Sequence, residues 1–122
     1  MSASLAILVC DRDTAFREAL RNFLFAAGYS HVEIVSTVRN ALAMLRHGHY
    51  RCILVGLSRP LFTARRLANV ARQRQPGAQV LFLVSAADAA LVKDTSLVYV
   101  IKEHAFSILL SVLARNDEDI SS

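Results

Sequence analysis

Tryptophan is absent from this chain, and glycine and proline number only four and two in 122 residues. So few turn and breaker residues exclude a collagen-like or low-complexity chain, and 54% hydrophobic against 20% charged residues excludes intrinsic disorder. Two cysteines are too few for a disulfide framework and suit a reducing compartment. Long apolar runs are missing too: the uncharged stretch Pro76 to Ala87 is too short to span a bilayer. Met1-Ser2-Ala3-Ser4 has no basic segment of the kind that opens a secretion signal. A soluble, cytoplasmic protein with no membrane partner is expected. Lysine is scarce as well, since twelve of the fourteen cations are arginine. The net charge of +4 permits contact with an acidic partner without demanding it. The length suits one domain, here residues 1–116, with 117–122 as an acidic mobile tail or the start of a linker.

What the chain does have is alternation. Leu5-Ala6-Ile7-Leu8-Val9-Cys10 is an apolar run of strand length, stopped by Asp11-Arg12-Asp13. Phe16, Leu20, Phe23, Leu24 and Ala27 then share one helical stripe, with Gly28 as the stop signal. A β-branched run from His31 to Ser36 leads to Val38, Leu42 and Leu45 at helical spacing, ended by Gly48. Cys52-Ile53-Leu54-Val55 is a third apolar run, breaking at Gly56 and Pro60. Phe62 to Gln75 reads as a helix, Gln79 to Val84 and Leu97 to Ile101 as strands, and Ala105 to Arg115 as a last helix. Ala86 to Val92 has room for only about two helical turns at ~3.6 residues each, so the fourth helix is shortened. Five βα units with strands apolar on both faces predict an α/β fold: a doubly wound, five-stranded parallel sheet with helices on both faces.

In such a sheet, ligands sit outside the carboxyl ends of the strands at the switch point. The residues there are Asp11-Arg12-Asp13, Gly56-Leu57-Ser58, Ser85-Ala86 and Lys102-Glu103. With Ile7-Leu8-Val9-Cys10-Asp11, Tyr50 through Pro60, Val80 through Ser85 and Tyr99-Val100-Ile101-Lys102 in that order, the chain from about Leu5 to Arg115 resembles the receiver domain of two-component response regulators, a flavodoxin-like (βα)5 fold. The resemblance implies phosphoryl transfer from a histidine kinase to an aspartate ending strand three. It also implies two acids after strand one that help hold Mg²⁺, and a Ser or Thr and a Lys, after strands four and five, that contact the phosphoryl oxygens. Such a transfer needs a carboxylate nucleophile and a hard cation with oxygen ligands.

The decisive positions depart from that pattern. Gly56 stands where the phospho-accepting aspartate belongs and offers no nucleophile, and Arg12 replaces the second acid with a permanent cation. Asp11 remains, Ser85 and Lys102 match, and Glu103 replaces the proline that usually follows the lysine. The pocket of Asp11, Arg12, Gly56, Ser85 and Lys102 is therefore degenerate, with no metal or other cofactor expected. Asp13 has the position of an N-cap. Asp11 can pair with Lys102 or Arg12 as a remnant of the metal site, the preferred reading. Alternatively, Arg12, Lys102 and Ser85 hold a small anion.

Beyond the pocket, Tyr99 matches the aromatic residue that rearranges with the Ser/Thr hydroxyl in the family. Here it is either a binding contact or a packed side chain. On the last helix, Phe106, Leu109, Leu110 and Leu113 form a stripe facing the sheet, while Ile108 and Val112 fall on another side beside Arg115. That second pair suggests an interface, for a homodimer or another protein, unless neighbouring loops cover it. Phe25, among Glu18, Arg21 and Asn22, is either part of a docking face for a kinase or phosphotransfer protein or tucked against Tyr29. Arg65, Asn69 and Arg72 make an outward stripe, without a recognition motif or interleaved aromatics, that reads as a solvated face. Direct nucleic-acid contact is not expected from it. Cys10 and Cys52 fall at opposite ends of adjacent strands and read as core thiols; the scattered histidines suggest no metal site.

The expected function is that of a phosphorylation-independent pseudo-receiver: a non-enzymatic protein-interaction and regulatory module in a two-component-type pathway. The alternatives are the receiver half of a DNA-binding transcription regulator and a receiver phosphorylated at a non-standard aspartate, Asp11 or Asp13.

Overall fold

Five apolar runs become five parallel strands in the computed structural model: β1 (Ala6–Cys10), β2 (His31–Val35), β3 (Cys52–Gly56), β4 (Gln79–Val84) and β5 (Tyr99–Ile101). Their order, β2-β1-β3-β4-β5, winds outward in both directions from the β1/β3 junction. The structure describes residues 6–57, 61–93 and 97–121, with 61–62 and 116–121 as backbone only. Leu5, Ser58, Pro60 and the side chains of Phe62, Asp117, Glu118 and Asp119, on which sequence expectations fall, lie outside the described residues.

Alternating side chains of the strands feed two cores. Ile7, Val9, Leu54, Leu81, Leu83 and Val100 pack under α1 (Thr14–Ala26) and α4 (Ala105–Ser121). Leu8, Cys10, Ile53, Val55, Phe82 and Val84 pack under α2 (Val38–His47) and α3 (Leu61–Arg74). Burial on both faces explains why the central strands read as continuous apolar runs.

Local signals set the helix ends. Asp13 accepts the amide of Phe16 at 3.1 Å, the N-cap expected of it, and Thr37 does the same for Asn40 at 3.1 Å. After α1, Gly28 has φ of +102°, while Tyr29 N–H bonds the Leu24 carbonyl and Gly28 N–H that of Phe25, both at 3.0 Å. This is a Schellman motif, with Leu24 and Tyr29 meeting in the core. Gln75, buried after α3, accepts the Tyr50 amide at 2.5 Å and donates to the Gly48 carbonyl at 2.6 Å, joining the end of α3 to the chain entering β3.

Three elements differ in detail from the sequence reading. Ala86–Leu91 is a 3₁₀ segment, because six residues do not meet the nucleation cost of an α-helix and the turn closes by bonds such as Val92 N–H to Ala89 O at 3.2 Å. β5 pairs only from Tyr99. The last helix runs past Arg115 to Ser121, since residues 116–121 contain neither glycine nor proline to stop it. Its buried line is Ala105, Leu109 and Leu113, with Phe106 turned toward α1, where its ring stacks on Phe23 at 4.6 Å between centroids. Leu110, expected to face the sheet, is exposed, and Val112 packs against the core instead. No helix among the described residues is long and apolar enough to cross a membrane.

Cys10 and Cys52 are free and buried, separated along adjacent strands because Ile7, not Cys10, lies beside Cys52. Burial pushes the Cys10 thiol up to about 11, aided by the charge of Asp11, and the Cys52 thiol up to about 12. Neither forms appreciable thiolate at pH 8, so a colourimetric thiol reagent should count no rapidly reacting cysteine in the native protein and two in denaturant. Gly28→Ala meets no atom within 4 Å, so its cost is conformational alone. It should lower the urea unfolding free energy by about 1–2 kcal/mol.

Candidate functional site

At the carboxyl edge of the sheet, the ends of β1, β3, β4 and β5 bring Asp11, Gly56, Ser85 and Lys102 together in the order the sequence implies. Asp11 continues β1 by one bond, donating its amide to the Val35 carbonyl at 3.1 Å. Its carboxylate is 4% exposed and turned inward. Oδ1 accepts the Asp13 amide at 2.9 Å, and Oδ2 lies 2.8 Å from the Lys102 ammonium, an ion pair between the ends of β1 and β5. Of the two partners weighed for Asp11, the structure selects Lys102. Arg12 is exposed and forms no ion pair among the described residues.

The position of this carboxylate explains Gly56. A Cβ built on Gly56 lies 2.6 Å from Asp11 Cγ and closer still to Oδ2. Gly56 does not occupy the left-handed region, so the site uses its small size and not its backbone freedom. The space above the end of β3 is thus filled by Asp11, and any side chain at position 56 must dislodge it. Lys102 is held from the other side by the Phe16 ring, whose centroid is 4.5 Å from Nζ, a cation–π contact. Arg17 Nη1 donates to the Asp11 carbonyl at 2.8 Å and ties α1 to the same corner.

The remaining groups are engaged elsewhere. Ser85 caps the 3₁₀ segment, its hydroxyl accepting the Asp88 amide at 3.3 Å. Glu103 Oε1 accepts the Ala86 amide at 3.1 Å, joining the ends of β4 and β5. This contact and the Phe16 and Arg17 contacts went unread in the sequence. The signal for Glu103 was present, since residues just after β4 and β5 must be neighbours once the strands pair. The set proposed for a small anion is dispersed in its bonding: Lys102 is neutralised by Asp11, Ser85 faces a backbone amide, and Arg12 points to solvent.

The Mg²⁺ that the resemblance implies does not fit this arrangement. Both oxygens of Asp11, the surviving acid of the pair, are engaged, and Asp13 caps α1. Among the described residues, no three His, Cys, Asp or Glu side chains come together as a metal site.

The proposed surface residues are placed as follows. Phe25 is 40% exposed with the Arg21 guanidinium 5.2 Å above its ring. Tyr99 is half-buried and packs with the α2–α3 core. Ile108 is 40% exposed, Arg115 is exposed, and Val112 is half-buried against the opposite core.

Removing Lys102 leaves a buried carboxylate uncompensated. Lys102→Met should cost about 2–3 kcal/mol in urea unfolding, at or below the lower end for buried pairs because the ammonium is partly exposed. Adding Asp11→Asn should recover more than half of that loss in a double-mutant cycle.

No family model and no curated protein matches the chain. Solved structures do. The response regulator TrrA of Thermotoga maritima, in complex with Mg²⁺–BeF, aligns at a TM-score of 0.75 and 21% identity, over 91% of this chain and 97% of that one. The chemotaxis response regulator CheY4 of Vibrio cholerae aligns at 0.72 and 23%, over 92% and 98%. The RcsB response regulator of Salmonella typhimurium, described in terms of DNA interaction, aligns at 0.69 and 17%, over 96% of this chain and 61% of the RcsB chain. The likeness is one of fold: this chain has the receiver-domain fold of two-component response regulators.

Proposed function

We propose that the chain is a pseudo-receiver: a regulatory protein-interaction module of a two-component-type pathway that works without phosphorylation and has no catalysis of its own. The observation that carries this reading is the Asp11–Lys102 pair seated over Gly56. A receiver needs a nucleophilic carboxylate on β3 and a free ammonium on β5. Here the first is a glycine, and the second is neutralised within the chain. Glu103 on the Ala86 amide supplies a further internal carboxylate at the same edge. The site is electrostatically satisfied before any phosphoryl group arrives.

Its output is contact with another protein, either a signalling partner or a second copy. The supporting feature is the exposed apolar side chains Leu91 and Val98 between β4 and β5 and Ile108 on α4, where Arg115 is exposed as well. A second reading is the receiver part of a DNA-binding regulator, since the similar RcsB structure, of whose chain 61% is covered, is described in terms of DNA interaction.

Intact mass and amide NMR with Mg²⁺ and acetyl phosphate test the first reading. No adduct and no shifts around Asp11, Ser85 and Lys102 are expected. Gly56→Asp should also stay unlabelled, because its side chain collides with Asp11 and Arg12 stands where the second metal-holding acid belongs; stoichiometric labelling of that variant overturns the proposal. For the interface, Ile108→Asp should convert any dimer seen by light scattering to monomer with an unchanged melting temperature.

A further inference from the structure

All ten acidic residues lie outside the stretch 34–87, and eight of the twelve arginines lie inside it. The fold gathers this imbalance onto one side. α2 and α3 pack next to each other over the same core, and neither contains an Asp or a Glu. Arg39 and Arg46 on α2, and Arg65, Arg66, Arg72 and Arg74 on α3, are all exposed. None has a carboxylate within 4 Å among the described residues. One helix alone shows a charge stripe of the solvated kind. Two adjacent helices show an acid-free cationic layer, whereas solvated faces usually intersperse both signs.

We propose that the α2–α3 face binds the phosphate backbone of double-stranded nucleic acid without regard to sequence. Charge complementarity names the ligand as a polyanion, and what the face lacks narrows the class. Among the described residues, the exposed large apolar ones, Phe25, Leu91, Val98, Ile108 and Leu110, all lie off α2 and α3. A protein partner needs an apolar or aromatic interface core, and a membrane surface needs apolar residues to insert; among the described residues this face offers neither. No exposed aromatic side chain among the described residues of the two helices offers a stacking platform for single-stranded bases. What remains is a dense phosphate array, one charge per ~1.7 Å of duplex axis, met by planar guanidiniums that bind phosphate in bidentate fashion. Within each helix, Arg39 and Arg46, and Arg65 and Arg72, are seven residues apart, about two turns or ~10.5 Å along the axis, and so share a side. The domain pI near 9.6 agrees with this footprint. The proposal uses no part of the Asp11–Lys102 site, so it stands or falls apart from the reading of that pocket.

The test is fluorescence anisotropy of a labelled 20-base-pair DNA duplex of mixed sequence with the 122-residue chain. With about four phosphates neutralised, affinity should fall roughly 150-fold between 50 and 200 mM salt. Scrambling the duplex sequence should leave it unchanged. Arg65→Gln/Arg72→Gln and Arg39→Gln/Arg46→Gln should each lower the salt slope by about two, whereas Ala19→Glu/Asn22→Glu, with the same net charge change on the opposite layer, should keep the slope. Circular dichroism melts verify that the variants fold. No binding at 50 mM salt overturns the proposal, as does an equal loss of slope in all three variants. Tighter binding to poly-glutamate or to anionic vesicles than to duplex overturns it in favour of an acidic protein or a membrane surface.

Discussion

The ion pair between Asp11 and Lys102 is the contact on which the carboxyl edge of the sheet depends. It spans from β1, the second strand of the sheet, to β5 at its far edge, past the ends of β3 and β4. A lone carboxylate as buried as Asp11 is costly, and the ammonium with the Asp13 amide is what makes it tolerable. Once this carboxylate is fixed, the residue at position 56 has to be small. Phe16 then covers the ammonium, and Arg17 secures the backbone behind it. Glycine at 56 is thus the steric complement of a pair that has taken over the space, and not a stand-alone loss.

Most of the fold was legible because its signals are local and redundant. Continuous apolar runs specified buried parallel strands, Gly28 and Gly48 marked helix ends, and Asp13 announced its cap. The misjudged elements were those where tertiary packing overrides a local pattern. On the last helix the apolar residues fall on two neighbouring sides, and sequence alone placed Leu110 inward. Stacking of Phe106 on Phe23 sets the rotation that exposes it. The end of that helix was misjudged for the opposite reason: a run of acidic residues reads as a tail, yet nothing in it breaks a helix.

The site was half legible. That Asp11 would pair internally could be reasoned from charge, but the choice of Lys102 over Arg12 needed the sheet, because neighbours in sequence point to opposite sides of a strand end. The clash over Gly56 depends on where the Asp11 side chain turns and leaves no trace in spacing. The cationic α2–α3 layer was countable all along. Only the packing of the two helices turns the count into a face.

β5 is the shortest strand of the sheet, three paired residues at an edge, and so belongs to the least protected part of the molecule. Lys102 and Glu103 follow it directly, each fastened to another strand end. These two bonds act as clasps on the element with the fewest ladder hydrogen bonds of its own. When β5 frays, both clasps open together, so the weakest strand and the filled pocket share one opening equilibrium. Whatever grips this edge from outside therefore also holds the pocket shut.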